Sequence, residues 1–362
     1  MRGDPRTLSA ALRGAAWLLA GVAIAAVLIL AVSGGAAGSA LSALWRGSLG
    51  SPAAFFSGTL VRATPLLFAG LAVTLAFRAG ILNIGAEGQL LVGAAAAAAV
   101  ALRLWTLPFH LQLVAALAAA AIAGALWAAV AATLRRRFGV LEVISTLMLN
   151  FIALHLLSFL VRGPLQEPSG IYPQTLSLAP AMRLPVVVPG TRLHAGFLLA
   201  LVCALSIWWV LRHTAAGFRL RASGANADAA ASAGRIDVAA TTTAAFLVSG
   251  ALAGIAGAVE VTGVTFALYE NISPGYGYSA IAVALLARLH PLAVIGTAVL
   301  FGALEAGAGA MQRDAGVPAE IVKVAEALLI LLVIAADRLR GGDAMRSRRA
   351  APASPATAGA VA

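Results

Sequence analysis

A single cysteine in 362 residues, Cys203, leaves the chain without an internal disulfide or a thiolate metal site. Charge is scarce as well: 11% of residues are Asp, Glu, Lys or Arg, against about a quarter in soluble domains. The five histidines show no metal-ligand spacing. His155, one turn after Asn150, reads as a packing residue or as one lining a path. No paired His/Asp/Glu or Ser/His constellation recurs at helical spacing, which argues against an intramembrane enzyme. The chain also lacks a Gly-x-x-x-x-Gly-Lys-Ser/Thr loop and any polar segment long enough for a nucleotide-binding domain, so it cannot hydrolyse ATP alone.

Apolar residues are abundant, at 61% of the chain, with a mean hydropathy of +0.94. That excludes an ordinary soluble domain and predicts an all-α polytopic membrane protein. A span needs roughly 20 apolar residues. Runs of that kind fall at 15–32, 60–77, 89–103, 111–133, 142–161, 194–211, 239–260, 278–287, 291–311 and 319–336, about ten transmembrane segments, the third and eighth short. The first, preceded by basic residues, is about 18 residues long and exceeds the 7 to 15 of a signal peptide. It reads as a retained signal-anchor helix, although Gly38-Ser-Ala40 has the form of a cleavage site.

Cytoplasmic loops carry the Lys/Arg excess. With the N-terminus inside, the inner segments hold Arg2, Arg6, Arg13, Arg78, Arg135, Arg136, Arg137, Arg212, Arg219, Arg221, Arg235, Arg288, Arg338, Arg340, Arg346, Arg348 and Arg349, seventeen of the 25 basic residues. Both termini are then cytoplasmic: a short segment at 1–14 and, after the membrane domain at 15–338, a basic and then disordered tail at 339–362. The net charge of +11 reflects this bias. Because the basic residues are split among separate loops without interleaved aromatics, they predict no nucleic-acid partner. The surrounding partner is membrane lipid.

Residues 78–89, Arg-Ala-Gly-Ile-Leu-Asn-Ile-Gly-Ala-Glu-Gly-Gln, interrupt two hydrophobic runs. Buried ionisable and amide groups cost several kcal/mol unless they meet a partner or a water-filled path. Asn83, Glu87 and Gln89 are therefore candidate substrate-pathway residues, with Asn150 on the fifth span as the partner across the path; a capping role for Glu87 at the start of the third span is the alternative. Five spans per half, with the N-terminus inside, make the second half run opposite to the first, as in an inverted repeat. Residues 83–89 (Asn-Ile-Gly-Ala-Glu-Gly-Gln) and 271–277 (Asn-Ile-Ser-Pro-Gly-Tyr-Gly) echo one another at corresponding places. Glu260, Glu305 and Glu326 sit at or within span ends, facing either a water path or a cap. Gly250 and Gly254 form a GxxxG pair, read as packing within the bundle. Six prolines make residues 162–193 an external cap, a docking surface or a plain connector.

The polar loop at 212–238 contains an Ala-rich helix with Asn226 and Asp228 as cap candidates and Gly234 as its stop. It offers a handle on the inner face. Residues 77–89, residues 141–150 (Leu-Glu-Val-Ile-Ser-Thr-Leu-Met-Leu-Asn), and the pattern Gly217, Arg221-Ala-Ser-Gly-Ala-Asn226, Ala229-Ala230, Gly234-Arg-Ile236 occur in this order. Together they resemble the permease subunits of ABC importers of the branched-chain amino acid and ribose type, and within these the nucleoside and simple-sugar branch. The resemblance runs from about residue 55 to 338. It implies a permease in the plasma (inner) membrane that passes a nucleoside or simple sugar by alternating access. It implies that residues 217–236 form the coupling helix on a separate cytoplasmic ATPase, which would bind ATP and Mg, with Arg219, Arg221, Gly224, Asn226, Ala229, Ala230 and Gly234 in that contact. It further implies a second permease subunit, as a heterodimer, and an extracytoplasmic solute-binding protein. A stand-alone, ion-coupled secondary transporter is the alternative; it would have no motor for the loop to grip.

Overall fold

The computed structural model describes residues 37–103, 108–234 and 236–328, with the isolated positions 23, 27, 31 and 331. The predicted first span, at 15–32, lies outside the described residues apart from three helical positions, as do the segments 1–14 and 339–362. Eleven helices are named here: α1 (Ala37–Ser48), α2 (Pro52–Arg78), α3 (Ala86–Arg103), α4 (Phe109–Phe138), α5 (Glu142–Arg162), α6 (Gly196–His213), α7 (Ala215–Ala225), α8 (Ala227–Gly234), α9 (Val238–Thr265), α10 (Tyr276–Leu286) and α11 (Pro291–Ala315). A further helical stretch covers 320–328.

Seven of these are long and apolar enough to cross a membrane: α2 to α6, α9 and α11. They match seven of the ten expected segments. The eighth expected segment is the 11-residue α10, about 16 Å long and half the hydrocarbon thickness. The tenth is described as far as residue 328 and at residue 331.

Helix ends follow local chemistry. Ser51 accepts from the Ala54 amide and Pro52 opens α2, whose first turns include a π-helical stretch at Phe55–Thr59. Asp237 accepts from the Ala240 amide at the start of α9. Arg135, Arg136 and Arg137 sit in the last turn of α4, where cations complement the carbonyl end, before Gly139 at φ 67° stops the helix.

The core is built on α2, buried over 89% of its apolar stretch, and α9, buried over 72%. Small residues let the backbones approach. A Cβ on Gly254 would lie 2.1 Å from the Ala120 carbonyl oxygen, and one on Gly257 would lie 2.0 Å from that of Leu90. Gly254 of the GxxxG pair therefore packs α9 against α4, and Gly257 packs it against α3, inside the chain. By contrast α4, α5 and α6 turn Leu126, Phe151, Phe159 and Trp209 outward. Helix α1, which the hydrophobic runs did not predict, lays Ala40 beside Leu304 and Met311, with Gly47 against Ala306 and Ala310. Gly38, Ser39 and Ala40 are part of this helix.

Two ends of the bundle differ. One carries Arg78, Arg135, Arg212, Arg219, Arg221 and Arg288. The other carries the proline-rich segment, which is ordered and stitched to the end of α9: the amides of Thr175, Leu178 and Leu184 donate to the carbonyls of Leu268, Phe266 and Thr262. Arg183 stacks 4.2 Å from the Phe266 ring centroid.

The 212–238 loop, read as holding one Ala-rich helix, holds two. Thr214 caps α7 by accepting from the Gly217 amide. Asn226 breaks the chain at φ −160° and caps α8 by accepting from the Ala229 amide at 3.0 Å. Asp228 lies in the first turn of α8 rather than at its cap, because Asn226 already holds that place. Gly234 ends α8 as expected.

Candidate functional site

Residues 79–85 carry the chain from α2 back into the bundle. Gly80, at φ +80°, makes the turn in a region that L side chains rarely adopt. Beyond it Asn83 is fully buried. Its Oδ1 accepts from the Gly85 amide at 2.9 Å and from Gln89 Nε2 at 3.1 Å. Its Nδ2 donates to Gln89 Oε1 at 3.0 Å and to Ser249 Oγ at 2.9 Å. Ser249 in turn donates to the Ala72 carbonyl at 2.7 Å. Ala72 lies six residues before the end of α2, or about 9 Å along it, so α3 starts deep inside the bundle.

A second helix start meets it there. Ser273 Oγ accepts from the amides of Gly275 and Tyr276 as α10 begins. The Gly277 amide donates to Glu87 Oε2 at 2.6 Å. A Cβ on Gly277 would lie 2.2 Å from the Glu87 nitrogen and 2.4 Å from its Cα, so the two backbones touch. From α5, Asn150 accepts from the Gly88 amide at 2.8 Å and donates to the Ile84 carbonyl at 2.9 Å and to the Tyr278 hydroxyl at 3.3 Å. Two helix N-termini with free amides and positive ends thus converge on one carboxylate and one amide.

The structure brings Asn83, Glu87, Gln89 and Asn150 together, at 0% to 7% exposure. Their polar atoms are engaged with one another and with the backbone. Glu87 answers the start of α10, and Asn150 answers the start of α3. None of the four borders the cavity next to them.

That cavity, about 590 Å³, lies at the loop end between α2, α9, α11, the 266–275 segment and the 319–326 segment. Its size suits a small molecule. Glu260, Glu305 and Glu326 enter it from three different elements, Arg62 from α2, Arg192 from the proline-rich segment and Lys323 from the stretch that carries Glu326, and Tyr269 and Tyr276 supply aromatic faces. Oε2 of Glu260 and Oε1 of Glu326 accept no hydrogen bond from any described residue. Lys323 Nζ donates to the Pro274 carbonyl at 3.1 Å, and Arg192 Nη2 donates to that of Val264 at 3.2 Å. Among the described residues no group of His, Cys, Asp and Glu has the arrangement to hold a metal. Each carboxylate was visible in the sequence as an acid within an apolar run. Their convergence was not, since they are separated by 45 and 21 residues in the chain (260 to 305, 305 to 326).

Beside the cavity, Glu270 accepts from Arg162 Nε and Nη2 at 2.6 and 2.7 Å and from the Ser158 hydroxyl. These hydrogen bonds, Arg162 first, hold its carboxyl down at about 2. His155 is exposed nearby, on a smaller cleft shared with Ser158 and Glu270.

At the arginine-rich end, Arg219, Arg221, Asn226 and Ala229 are exposed, whereas Ala230 is buried against this chain. A Cβ on Gly224 would lie 2.1 Å from the Arg78 carbonyl oxygen. The end of α7 is therefore seated on the turn that leads to Asn83.

The sequence profile described as branched-chain amino acid transport system / permease component matches residues 55–336. The chain is 39% identical to the guanosine ABC transporter permease protein NupP of Bacillus subtilis, over 87% of this chain and 91% of that one. It is 37% identical to a glucose ABC transporter permease protein of Haloferax volcanii, over 83% and 82%. A second guanosine permease protein of Bacillus subtilis, NupQ, is 29% identical over 67% and 78%. No solved structure matches the chain. With its apolar helices and the match over residues 55–336, this multi-pass membrane protein belongs to the family of branched-chain amino acid transport system permease components, the membrane-spanning subunits of ABC transporters.

Proposed function

We propose that the chain is one permease subunit of an importer in the plasma (inner) membrane that carries a nucleoside, or else a simple sugar. The observation that carries this reading is the 39% identity to a guanosine permease over 87% of the chain. The arginine-rich end faces the cytoplasm, in keeping with the positive-inside rule. Both termini lie on that side, and the membrane domain has about ten segments in two inverted five-span halves. The meeting of α3 and α10, each begun at the segment the two halves share in echo, supports that arrangement.

A separate ATPase docks on the 212–238 loop through Arg219, Arg221, Asn226 and Ala229. Gly224 rests on Arg78 and Gly80, so movement of α7 reaches the α2–α3 turn directly. In this reading Asn83, Glu87, Gln89 and Asn150 hold the broken-helix junction that bounds the path, and the acidic cavity is its outward-facing section. A second, related permease completes the path; the two guanosine permease proteins of one organism among the relatives support a heteromeric pair. An extracytoplasmic binding protein delivers the solute.

The test is reconstitution of the chain with its ATPase, second permease and binding protein in proteoliposomes. ATP-dependent accumulation of labelled guanosine or glucose is expected. Accumulation driven by an ion gradient without ATP would overturn the reading.

A further inference from the structure

We infer that Glu260, Glu305 and Glu326 form the solute's hydroxyl-binding site, an acceptor set that recognises a vicinal hydroxyl pair on a sugar ring. The inference rests on the reading that this chain passes a nucleoside or sugar, and deepens it by naming the residues and the chemical feature they read.

Three observations carry it. First, Glu260 and Glu326 are 4% and 7% exposed, line the cavity, and each keeps a carboxyl oxygen that no described residue bonds. A buried carboxyl oxygen left without a hydrogen bond is costly and persists where function requires it. Second, the acids are arranged around a space of about 590 Å³ and do not close on one another as a metal site. A space of that volume holds a ring-sized guest. Third, Tyr276 and Tyr269 border the same space. An aromatic face with acceptor oxygens at its edge binds a ring through its C–H face while the oxygens receive its hydroxyl hydrogens. The cations Arg62, Arg192 and Lys323 also border the cavity. Two of them already donate to backbone carbonyls, which leaves the unengaged acceptor atoms to the acids.

Acceptors of this kind discriminate by the loss of a hydroxyl. A hydrogen bond to a charged group is worth roughly tenfold to a hundredfold in affinity. The two sources of a vicinal pair, the ribose of a nucleoside and a free sugar, are separated by the choice of probes: guanosine against 2′-deoxyguanosine, and glucose against 2-deoxyglucose.

The experiment measures maximal uptake of each probe by the complete complex, at saturating solute-loaded binding protein, for wild type, Glu260→Gln and Glu326→Gln. The binding protein is the same throughout, so a change in the hydroxyl-to-deoxy ratio originates in the permease. The expected result is that each variant lowers that ratio at least about tenfold for one probe pair, with unchanged membrane level. Equal slowing of hydroxyl and deoxy probes would overturn the inference, because it would make the acids structural. An unchanged ratio in both variants would also overturn it. If the variants fail to insert, Glu305→Gln with equilibrium binding of labelled guanosine to the purified complex replaces uptake, and unaltered affinity counts against the site. A wild-type complex that carries none of the four probes would defeat the proposed function itself, whereas transport with an unaltered ratio defeats only this inference.

Discussion

The contact between α3 and α10 can be broken by one methyl group. Gly277→Ala places a Cβ 2.2 Å from the Glu87 nitrogen, and ordinary contact begins at 3.4 Å, so the two helix starts must part by at least 3.4 − 2.2 = 1.2 Å. Neither side can yield easily, since both close atoms belong to backbone. Overpacking of this kind costs about 1–3 kcal/mol. The same displacement stretches the 2.6 Å hydrogen bond from the Gly277 amide to Glu87, a charge-assisted bond worth about 1.5–3 kcal/mol. Together they destabilise the junction by roughly 2.5–6 kcal/mol. Thermal unfolding of the detergent-solubilised complex should show Tm lowered by about 5 °C or more, with uptake lowered in parallel. Glu87→Ala should cost less than Gly277→Ala, and the double variant should cost less than the sum, because both act on one contact. Glu87→Gln retains an acceptor oxygen for the Gly277 amide and should lower Tm less than Glu87→Ala. Wild-type Tm and uptake in Gly277→Ala would refute the claim that this contact holds the two helix starts.

Other perturbations separate the remaining parts. Ala229→Asp adds a charge to the exposed face of α8 and should abolish ATP-coupled uptake while leaving Tm and membrane level unchanged; a variant that still transports normally removes Ala229 from the docking surface. Ala230→Asp, by contrast, buries a carboxylate in this chain and should lower the membrane level several-fold, measured by immunoblot, so normal expression would contradict its burial. Asn226→Ala removes the α8 cap and should cost about 1 kcal/mol, read as faster hydrogen exchange over residues 227–234 with α7 unaffected. The Glu270 carboxyl, held at about 2 against an ordinary 4.5, stabilises the folded state above pH 4.5, and that contribution is lost as pH falls through about 2. Hydrogen exchange over residues 266–275 should therefore be unchanged between pH 7 and 5 after correction for intrinsic rates, rise only below about pH 4.5, and be raised at pH 7 by Glu270→Gln; a rise between pH 7 and 5 would contradict this.

The spans were legible because lipid-facing and core-facing helices are both apolar, so long uncharged runs suffice to find them. Helix α1 escaped because its packing rests on small residues, Ala40 and Gly47 among them, within a short stretch that Ser39, Ser42, Arg46 and Ser48 keep from reading as an apolar run. Helix α7 escaped because Gly217, Ser223 and Gly224 interrupt its pattern, whereas the start of α8 was legible in Asn226 as a cap before the Ala-rich run. For the site, hydropathy flagged Asn83, Glu87, Gln89 and Asn150 as groups that need partners. It could not say that they are one another's partners, since Asn150 reaches Gly88 across 62 residues and Glu87 reaches Gly277 across 190. The cavity acids show the converse. Glu260, Glu305 and Glu326 each had a plausible cap or surface role alone, and only the packing of α9, α11 and the following segment assembles them.

The central claim, that the acidic cavity is the outward section of the solute path, is tested most directly by accessibility. Val264 lines the cavity and is half-buried. In the complete complex carrying Cys203→Ser and Val264→Cys, a membrane-impermeant maleimide added from outside should label residue 264 without nucleotide, and saturating solute-loaded binding protein with trapped ATP should suppress that labelling. Labelling that is indifferent to both, or that occurs only from the cytoplasmic side, would contradict the account.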